Sequence, residues 1–355
     1  MSTTMGKATH EIDPDADTVL ILKNPSTRFA CWGPDEVEED ATVSVETSDG
    51  QGFSTVTSPQ AAFPAKTSCE EDEIRYRVSS RHLALVSPVF RSMLSGQNWN
   101  EGVRNEVDGL YHVITEDWDA ETLLILLDVL HHRNRRVPHT VSLEMLAKLV
   151  VLIDYYECPE ALESFTGRWT EHLKATSPVP SYFCRDLMLW MCVASVLKLP
   201  DEFAQTTTVA IRREGKELSA LGLPILKCVT RIEEDRMQAI GTIFSQLQAL
   251  VDEYRSQSYT CPTGDSFECG SMLLGALTKE MELQGLFPVP TAPFTGWSIS
   301  ELYTKIQRIR SPSWSSSSKS KKSRHRCDLG ARVMAIADPV TRLADGPRLE
   351  DLETG

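Results

Sequence analysis

The sequence predicts an α+β domain followed by an all-helical region, with a disordered acidic insertion in the domain and a disordered tail after the helices. Three observations lead to this fold class. Short runs rich in β-branched and apolar residues occur early in the chain. Apolar residues then recur at helical spacing up to about residue 310. From Ser311 the composition becomes Ser-rich, then basic, and then rich in Gly, Pro and Asp.

Length and composition set the number of domains. The chain has 355 residues, of which 41% are hydrophobic and 24% are charged. That balance supplies enough apolar side chains for ordinary cores, and at roughly 100 to 200 residues per domain it predicts two domains plus tails. We place an α+β domain at residues 14–175, a helical region at 176–310 and a disordered Ser-rich and basic tail at 311–355.

Most of the net charge of -14 lies near the start of the chain. The first 73 residues hold 4 basic against 15 acidic side chains, and residues 33–73 are rich in Asp, Glu, Ser, Thr and Gly. Such a segment has too few apolar side chains to offset the entropy of ordering, so we predict a disordered insertion there. An acidic surface repels phosphate backbones, and nucleic-acid binding is therefore not expected.

Membrane and secretory signals are not visible in the sequence. The longest apolar run, residues 187–197, is shorter than the roughly 20 residues that a membrane-spanning helix needs. The N-terminus lacks the pattern of a signal peptide, and the nine cysteines lack the dense spacing of a secreted disulfide scaffold. We therefore predict a protein of the cytoplasm, the nucleus or both, with reduced thiols and no membrane partner.

The strands and helices are predicted from residue periodicity and capping residues. Short apolar or alternating runs predict four strands, at residues 18–22, 29–32, 74–78 and 110–114. Ser87 followed by Pro88 predicts a helix start, because Ser caps a helix and Pro fits its first position. Helical spacing predicts further helices at residues 81–86, 123–130, 146–156, 160–174, 182–199, 203–215, 233–254 and 271–284. The helix at 123–130 is apolar nearly all round, which is typical of a helix surrounded by protein.

The stretch from Tyr76 to Leu94 resembles the central motif of BTB/POZ domains. In that family an aromatic strand residue leads into a helix, and a Ser-Pro-x-Phe sequence begins the next helix. The motif residues of this chain, with the Asp that begins a run similar to the first core strand of the family, are Asp17, Tyr76, Leu83, Ser87, Pro88 and Phe90. The resemblance covers residues 14–175, and the sequence is most similar to BTB-domain proteins of filamentous fungi.

This resemblance implies a protein-interaction module that is commonly a homodimer. Such modules serve as adaptors for cullin-type ubiquitin ligases or as oligomerising parts of transcription regulators, so the expected partners are proteins: a second copy of the chain and a cullin scaffold. In this chain Ser79 and Ser80 replace the His and the basic residue that the family carries after its second strand. A charged pocket that pairs Asp17 with a basic residue is therefore not expected.

Local signatures of catalysis are missing from the sequence. Gly-rich phosphate loops, Gly-x-Ser-x-Gly and His-Glu-x-x-His do not occur, so we predict no enzyme activity, no cofactor and no metal. The alternative is a metal-binding protein or an enzyme without a recognisable motif, in which Cys261 and Cys269 bind zinc with partners elsewhere. The seven residues between these thiols differ from the Cys-x2-4-Cys units of most structural sites, which favours ordinary half-buried thiols.

Two basic runs complete the candidate sites. Residues 131–136 lie between helices and are interpreted as a solvated loop, with contact to an acidic partner as the alternative. The second run lies in the Ser-rich tail, where an import receptor can reach it. The residues of this nuclear-targeting candidate are Lys319, Lys321, Lys322, Arg324 and Arg326.

The leading hypothesis is a non-enzymatic interaction protein, a dimerising adaptor for a cullin-type ubiquitin ligase. In this interpretation the α+β domain assembles and the helical region selects the partner. The alternative is a nuclear, transcription-associated regulator that oligomerises through the BTB-like domain.

Overall fold

The computed structural model describes residues 8–33, 73–96, 99–213, 215, 218–262, 264, 266–314 and 325–353. The chain divides into two compact units. The sheet unit comprises Met1–Val141 and Leu152–Gly167, and the helical unit comprises Ser142–Val151 and Arg168–Gly355. The sequence-based boundary between residues 175 and 176 thus lies eight residues beyond the last residue of the sheet unit. Of the predicted acidic insertion, residues 34–72 lie outside the described residues.

Four short strands form the sheet of the sheet unit, in the order β1-β3-β2-β4. The central strand β2 pairs antiparallel with β3 and parallel with β4, and β1 pairs parallel with β3. Five of the six residues of β2 are buried, which fits the continuous apolar run of this segment. The bounds of the strands are β1 (Ala8–Glu11), β2 (Thr18–Lys23), β3 (Glu73–Val78) and β4 (Tyr111–Glu116).

Three of the four predicted strands are confirmed by β2, β3 and β4, and the prediction at residues 29–32 is wrong. That segment is not a strand because β2, its expected partner, is already hydrogen-bonded on one side to β3 and on the other to β4. Strand β1 was not predicted, since its sequence Ala-Thr-His-Glu lacks the apolar alternation of a typical strand.

Helices pack with this sheet to complete the sheet unit. Ser87 is both the C-cap of α1 and the N-cap of α2, with Pro88 at the first position of α2 as predicted. Eight residues of α3 are buried, on all faces of the helix, which confirms that protein surrounds it. The helices of this part of the chain are α1 (Ser80–Val86), α2 (Pro88–Leu94), a 3-10 turn (Asn100–Gly102) and α3 (Ala120–Leu130).

Two further helices, α4 (Leu143–Tyr155) and α5 (Pro159–Thr176), have residues in both units. The helical unit then continues with α6 (Arg185–Val196), α7 (Pro200–Arg213), α8 (Leu226–Arg255), α9 (Ser266–Leu283), α10 (Ile299–Gln307), α11 (Leu329–Leu343) and α12 (Leu349–Glu353). The helices predicted between residues 142 and 284 are confirmed. None of the helices in the described part of the chain is long and apolar enough to span a membrane.

The prediction of a disordered tail is wrong for residues 325–353, which contain α11 and α12. Asp328 caps α11 by accepting a hydrogen bond from the Ala331 amide at 3.3 Å. Leu329, Val333 and Ala337 are buried at a spacing of four residues, so one face of α11 lies in a core. The sequence analysis missed this helix because it interpreted the Gly, Pro and Asp residues of the tail, among them Gly330 and Pro339 of α11, as signs of disorder.

A buried arginine ties an irregular segment of the helical unit to α8. The Arg236 side chain is only 2% exposed and forms an ion pair with Glu233 at 2.9 Å. Its guanidinium also donates to the carbonyl oxygens of Trp297 at 3.0 Å and Pro293 at 3.2 Å. These contacts satisfy the charge and fix the segment before α10.

Candidate functional site

The motif from Tyr76 to Phe90 forms the core of the sheet unit. Tyr76 on β3, Leu83 on α1 and Phe90 on α2 are each fully buried. The Tyr76 hydroxyl donates a hydrogen bond to the carbonyl oxygen of Ala120 at 3.1 Å, which links β3 to the start of α3. Burial raises the pKa of Tyr76 to about 12, so the hydroxyl remains a donor at physiological pH.

Ser87 holds the junction of α1 and α2 through two hydrogen bonds of its buried hydroxyl. The oxygen accepts from the Phe90 amide at 3.0 Å, and the hydroxyl donates to the Tyr156 carbonyl oxygen at 2.6 Å. The Phe90 ring stacks on the Tyr156 ring with centroids 4.3 Å apart. Pro88 is exposed beside this core, where its role is to begin α2.

Asp17 lies just before β2, and its carboxylate is bound by Ser80, which stands where the family has a basic residue. Its two carboxylate oxygens accept from the Ser80 amide at 2.7 Å and the Ser80 hydroxyl at 2.6 Å. Burial opposes the charge, but these hydrogen bonds outweigh it and lower the pKa of Asp17. A basic partner is nevertheless present, since the Arg104 guanidinium lies 3.8 Å from the Asp17 carboxylate. Arg104 lies between α2 and β4, 87 positions after Asp17 in the chain. The sequence analysis missed this pair because the two residues are so far apart in sequence.

Comparison with known families identifies this arrangement. The BTB/POZ domain model matches residues 67–172, a range that includes the motif core from Tyr76 to Phe90 and the stacked Tyr156. The chain contains a BTB/POZ domain. Its short strands with helices, followed by a largely helical remainder, are the predicted fold class. The BTB domain is a protein-interaction module, so residues 67–172 form a protein-binding domain. No curated protein and no solved structure matches the chain.

Exposed apolar side chains of the BTB domain include Leu85, Ile114 and Tyr155, and three more are concentrated on one segment. The segment comprises residues 99–110, between α2 and β4, and is here called the α2–β4 connection. Trp99 is 48% exposed, Val103 is 65% exposed and Val107 is 95% exposed. Single exposed apolar residues are common on soluble proteins, but three within nine residues indicate a surface that a partner can cover.

Acidic groups flank these apolar side chains. Glu101, Glu106 and Asp108 lie in the same connection, whereas its basic residue, Arg104, contacts the Asp17 carboxylate and donates to the Gly109 carbonyl oxygen at 2.8 Å. Hydrogen bonds from the Leu110 amide and from the ring of His112 lower the pKa of Asp108. The α2–β4 connection is therefore an apolar and acidic surface.

The basic run at residues 131–136 is partly structural. The ring of His131 is buried, donating from Nδ1 to the Leu127 carbonyl oxygen at 2.8 Å and accepting at Nε2 from the Ser79 amide at 3.0 Å. Burial lowers the pKa of His131, which favours this neutral form. Arg133 donates to the Ile12 carbonyl oxygen at 2.8 Å. These contacts differ from the solvated loop that the sequence analysis favoured.

A second group of reactive side chains lies in the helical unit. It consists of Cys261, Cys269, His325 and Cys327, here called the Cys/His cluster, whose ligand atoms all lie within 4.8 Å of one another. The first three residues are buried, Cys327 is partly exposed, and the three thiols are not in disulfides. The sequence analysis singled out the first two residues, but missed the last two because they are 56 to 66 positions away in the chain.

The nuclear-targeting candidate adjoins the Cys/His cluster in sequence. Lys319, Lys321, Lys322 and Arg324 lie outside the described residues, whereas Arg326 is described and exposed. Trp314 and His325, on either side of residues 315–324, contact each other. The His325 amide donates to the Trp314 carbonyl oxygen at 3.0 Å, and the centroids of the two stacked rings are 4.3 Å apart.

Proposed function

We propose that this protein is a non-enzymatic adaptor that self-associates through its BTB domain and binds a cullin-type scaffold on the α2–β4 connection. The observation that carries the proposal is the BTB/POZ match over residues 67–172, because that domain is a protein-interaction module. The exposed apolar residues of the connection supply the surface. The helical unit would select the protein that the adaptor delivers.

The chemistry of the α2–β4 connection supports a protein partner. Trp99 is the type of residue that contributes most to protein interfaces, since a large rigid ring buries much apolar area. Val103 and Val107 extend the apolar area around it. The acidic flank predicts a partner with basic side chains at the rim, so association should slow as salt concentration rises.

Capture of a cullin scaffold by the full-length chain tests the adaptor role. Trp99→Ala is expected to weaken binding about 30-fold, which corresponds to the roughly 2 kcal/mol of a typical interface hot spot. Tyr182→Ala is the matched control, since Tyr182 is an exposed aromatic residue of the helical unit, and it should bind as the unchanged protein does. Equal binding by all three proteins, or no binding by any of them, would contradict the proposal.

The self-association part has its own measurement. Light scattering of the full-length chain should give twice the chain mass of 39.7 kDa. Trp99→Ala should keep that mass, since we assign Trp99 to the scaffold and not to the second copy. A monomer that also fails to bind a cullin scaffold would remove the adaptor proposal.

A nuclear, transcription-associated regulator is the second proposed function, and the basic run near the C-terminus is the feature that favours it. Fluorescent fusions of the full chain with and without residues 319–326 should differ in their nuclear share, because an import receptor binds clustered Lys and Arg. His325 belongs to the Cys/His cluster, so the matched variant replaces only Lys319, Lys321, Lys322 and Arg324 with Ala. Identical distributions for this variant and the unchanged chain would reject the nuclear role.

A further inference from the structure

We propose that Cys261, Cys269, His325 and Cys327 form a structural zinc site in the helical unit. Three sulfurs and one imidazole nitrogen make a complete four-ligand set of the Cys3His type, and such sets bind Zn²⁺ with tetrahedral geometry. This proposal is independent of the BTB domain, and it departs from the prediction of no metal that was based on sequence motifs.

The distances within the Cys/His cluster fit a common central ion. Bond lengths of about 2.3 Å to sulfur and 2.0 to 2.1 Å to nitrogen place two tetrahedral sulfur ligands about 3.8 Å apart, and sulfur and nitrogen ligands about 3.6 Å apart. Sγ of Cys261 lies 3.7 Å from Sγ of Cys327 and 3.5 Å from Nε2 of His325. The same Nε2 atom lies 3.1 Å from Sγ of Cys269. Two of these three distances match a tetrahedral site, the third is shorter, and all four ligand atoms lie within 4.8 Å of one another.

Two other interpretations of these thiols fit less well. A disulfide needs a sulfur–sulfur distance of about 2.05 Å, whereas Cys261 and Cys327 are 3.7 Å apart. Ordinary buried thiols behave as small apolar groups and have no reason to converge on an imidazole nitrogen. The ring of His325 instead directs Nε2 at two thiols, and the stacked Trp314 ring fixes its orientation.

Neighbouring residues support the proposed ligands in the way that outer-shell groups do at metal sites. The hydroxyl of Tyr259 lies 3.4 Å from Sγ of Cys269 and can donate to a thiolate there. Gly270 allows this ring to come close, since a Cβ at that position would lie 3.0 Å from the Tyr259 ring. The Cys261 amide donates to the Ser266 hydroxyl at 3.0 Å, which fixes the turn before α9.

The proposed ion would act as a clip between distant parts of the helical unit. Cys261 precedes α9, Cys269 lies in its first turn, and Cys327 lies just before α11. A link between Cys261 and Cys327 closes a loop of 66 positions, and clips that close long loops give the largest entropic stabilisation in theory. Zinc would therefore hold the start of α11 in place beyond the Ser-rich segment.

Metal content of the full-length protein tests this proposal directly. Elemental analysis should find one zinc per chain, and Cys269→Ser should lose most of it. Cys184→Ser is the matched control, because Cys184 is a partly exposed thiol of the same unit outside the Cys/His cluster, and it should retain one zinc per chain. Zinc content that is absent from the unchanged protein, or equal in all three proteins, would overturn the proposal.

Hydrogen exchange of the unchanged protein keeps the proposal testable if Cys269→Ser fails to fold. Removing zinc with a chelator should speed amide exchange in the first turn of α9 and in residues 325–343, while exchange in β2 and β3 stays the same. Adding zinc back should restore the slow exchange. Exchange that is unaffected by the chelator, or a Cys261–Cys327 disulfide in the purified protein, would overturn the proposal.

Discussion

Polar contacts between distant segments stabilise both units, as those of Asp17 with Ser80 and Arg104 do in the sheet unit, but the central motif of the sheet unit is local in sequence. In the sheet unit, the motif residues Tyr76, Leu83 and Phe90 are fully buried within a stretch of fifteen positions, and local caps such as Ser87 fix the helices. In the helical unit, polar side chains join segments that are far apart in the chain, as Arg236 and the Cys/His cluster do. Local packing is visible in a sequence, whereas long-range polar contacts are not.

Removing the central ring of the motif should have the largest effect on stability. Phe90→Ala deletes a fully buried ring that stacks on Tyr156, and such substitutions cost about 3 to 5 kcal/mol. Denaturant unfolding with hydrogen exchange would measure the loss and place it in the sheet unit. Leu85→Ala is the control, since Leu85 is 73% exposed and its change should cost less than about 0.5 kcal/mol. Equal losses for both variants would show that the motif does not form the core.

Breaking the buried ion pair should destabilise the helical unit by about 3 kcal/mol, because Arg236→Ala removes the donor to Oε2 of Glu233 and to two carbonyl oxygens. Arg231→Ala is the matched control on the same helix, since Arg231 pairs with Asp235 at a more exposed site. That change should cost less than about 1 kcal/mol. Equal free energies of unfolding for the two variants would contradict the assigned role of Arg236.

Replacing a capping serine should cost more stability where its hydroxyl also forms a second hydrogen bond. Ser87→Ala should cost about 1 to 3 kcal/mol, because it removes the N-cap bond to Phe90 and leaves the Tyr156 carbonyl oxygen without its donor. Ser298→Ala removes an N-cap bond alone, to the Glu301 amide, and should cost about 1 kcal/mol. Thermal unfolding measures both, and a larger loss for Ser298→Ala would reverse the comparison.

The smallest expected effect is a pH dependence that arises from His131. Its pKa in the folded protein lies below the ordinary 6.5, so the unfolded chain binds a proton that the folded chain does not. The stability that this neutral ring contributes is present above pH 6.5 and declines as the pH falls through the folded pKa, by at most about 1.4 kcal/mol per pH unit. His131→Gln should flatten this part of the stability–pH profile. An unchanged slope in the variant would assign the effect to other groups.

Much of the fold could be predicted from the sequence because its signals are local. The alternating run at β3, the Ser-Pro start of α2 and the apolar α3 each lie within a few positions of one another. Strand β1 could not be predicted, since its polar residues become a strand only by pairing with β3. Helix α11 was missed because the Gly, Pro and Asp residues of the tail, among them Gly330 and Pro339, were interpreted as signs of disorder.

Among the candidate site residues, those close together in sequence could be predicted and those far apart could not. The motif core was predicted residue by residue from its resemblance to BTB domains. Arg104 beside Asp17 was missed, since the structure brings them together from positions 87 apart. The pairing of Cys261 with Cys327 was missed for the same physical reason, because no short spacing connects residues that meet only after the chain has folded.

Native mass spectrometry of the full-length protein over a range of concentrations tests the central claim, that the BTB domain makes this chain a self-associating interaction protein. The account predicts a species of two chains, each of 39.7 kDa, and the same spectrum would show any bound zinc as added mass. A single chain at every concentration would contradict the claim.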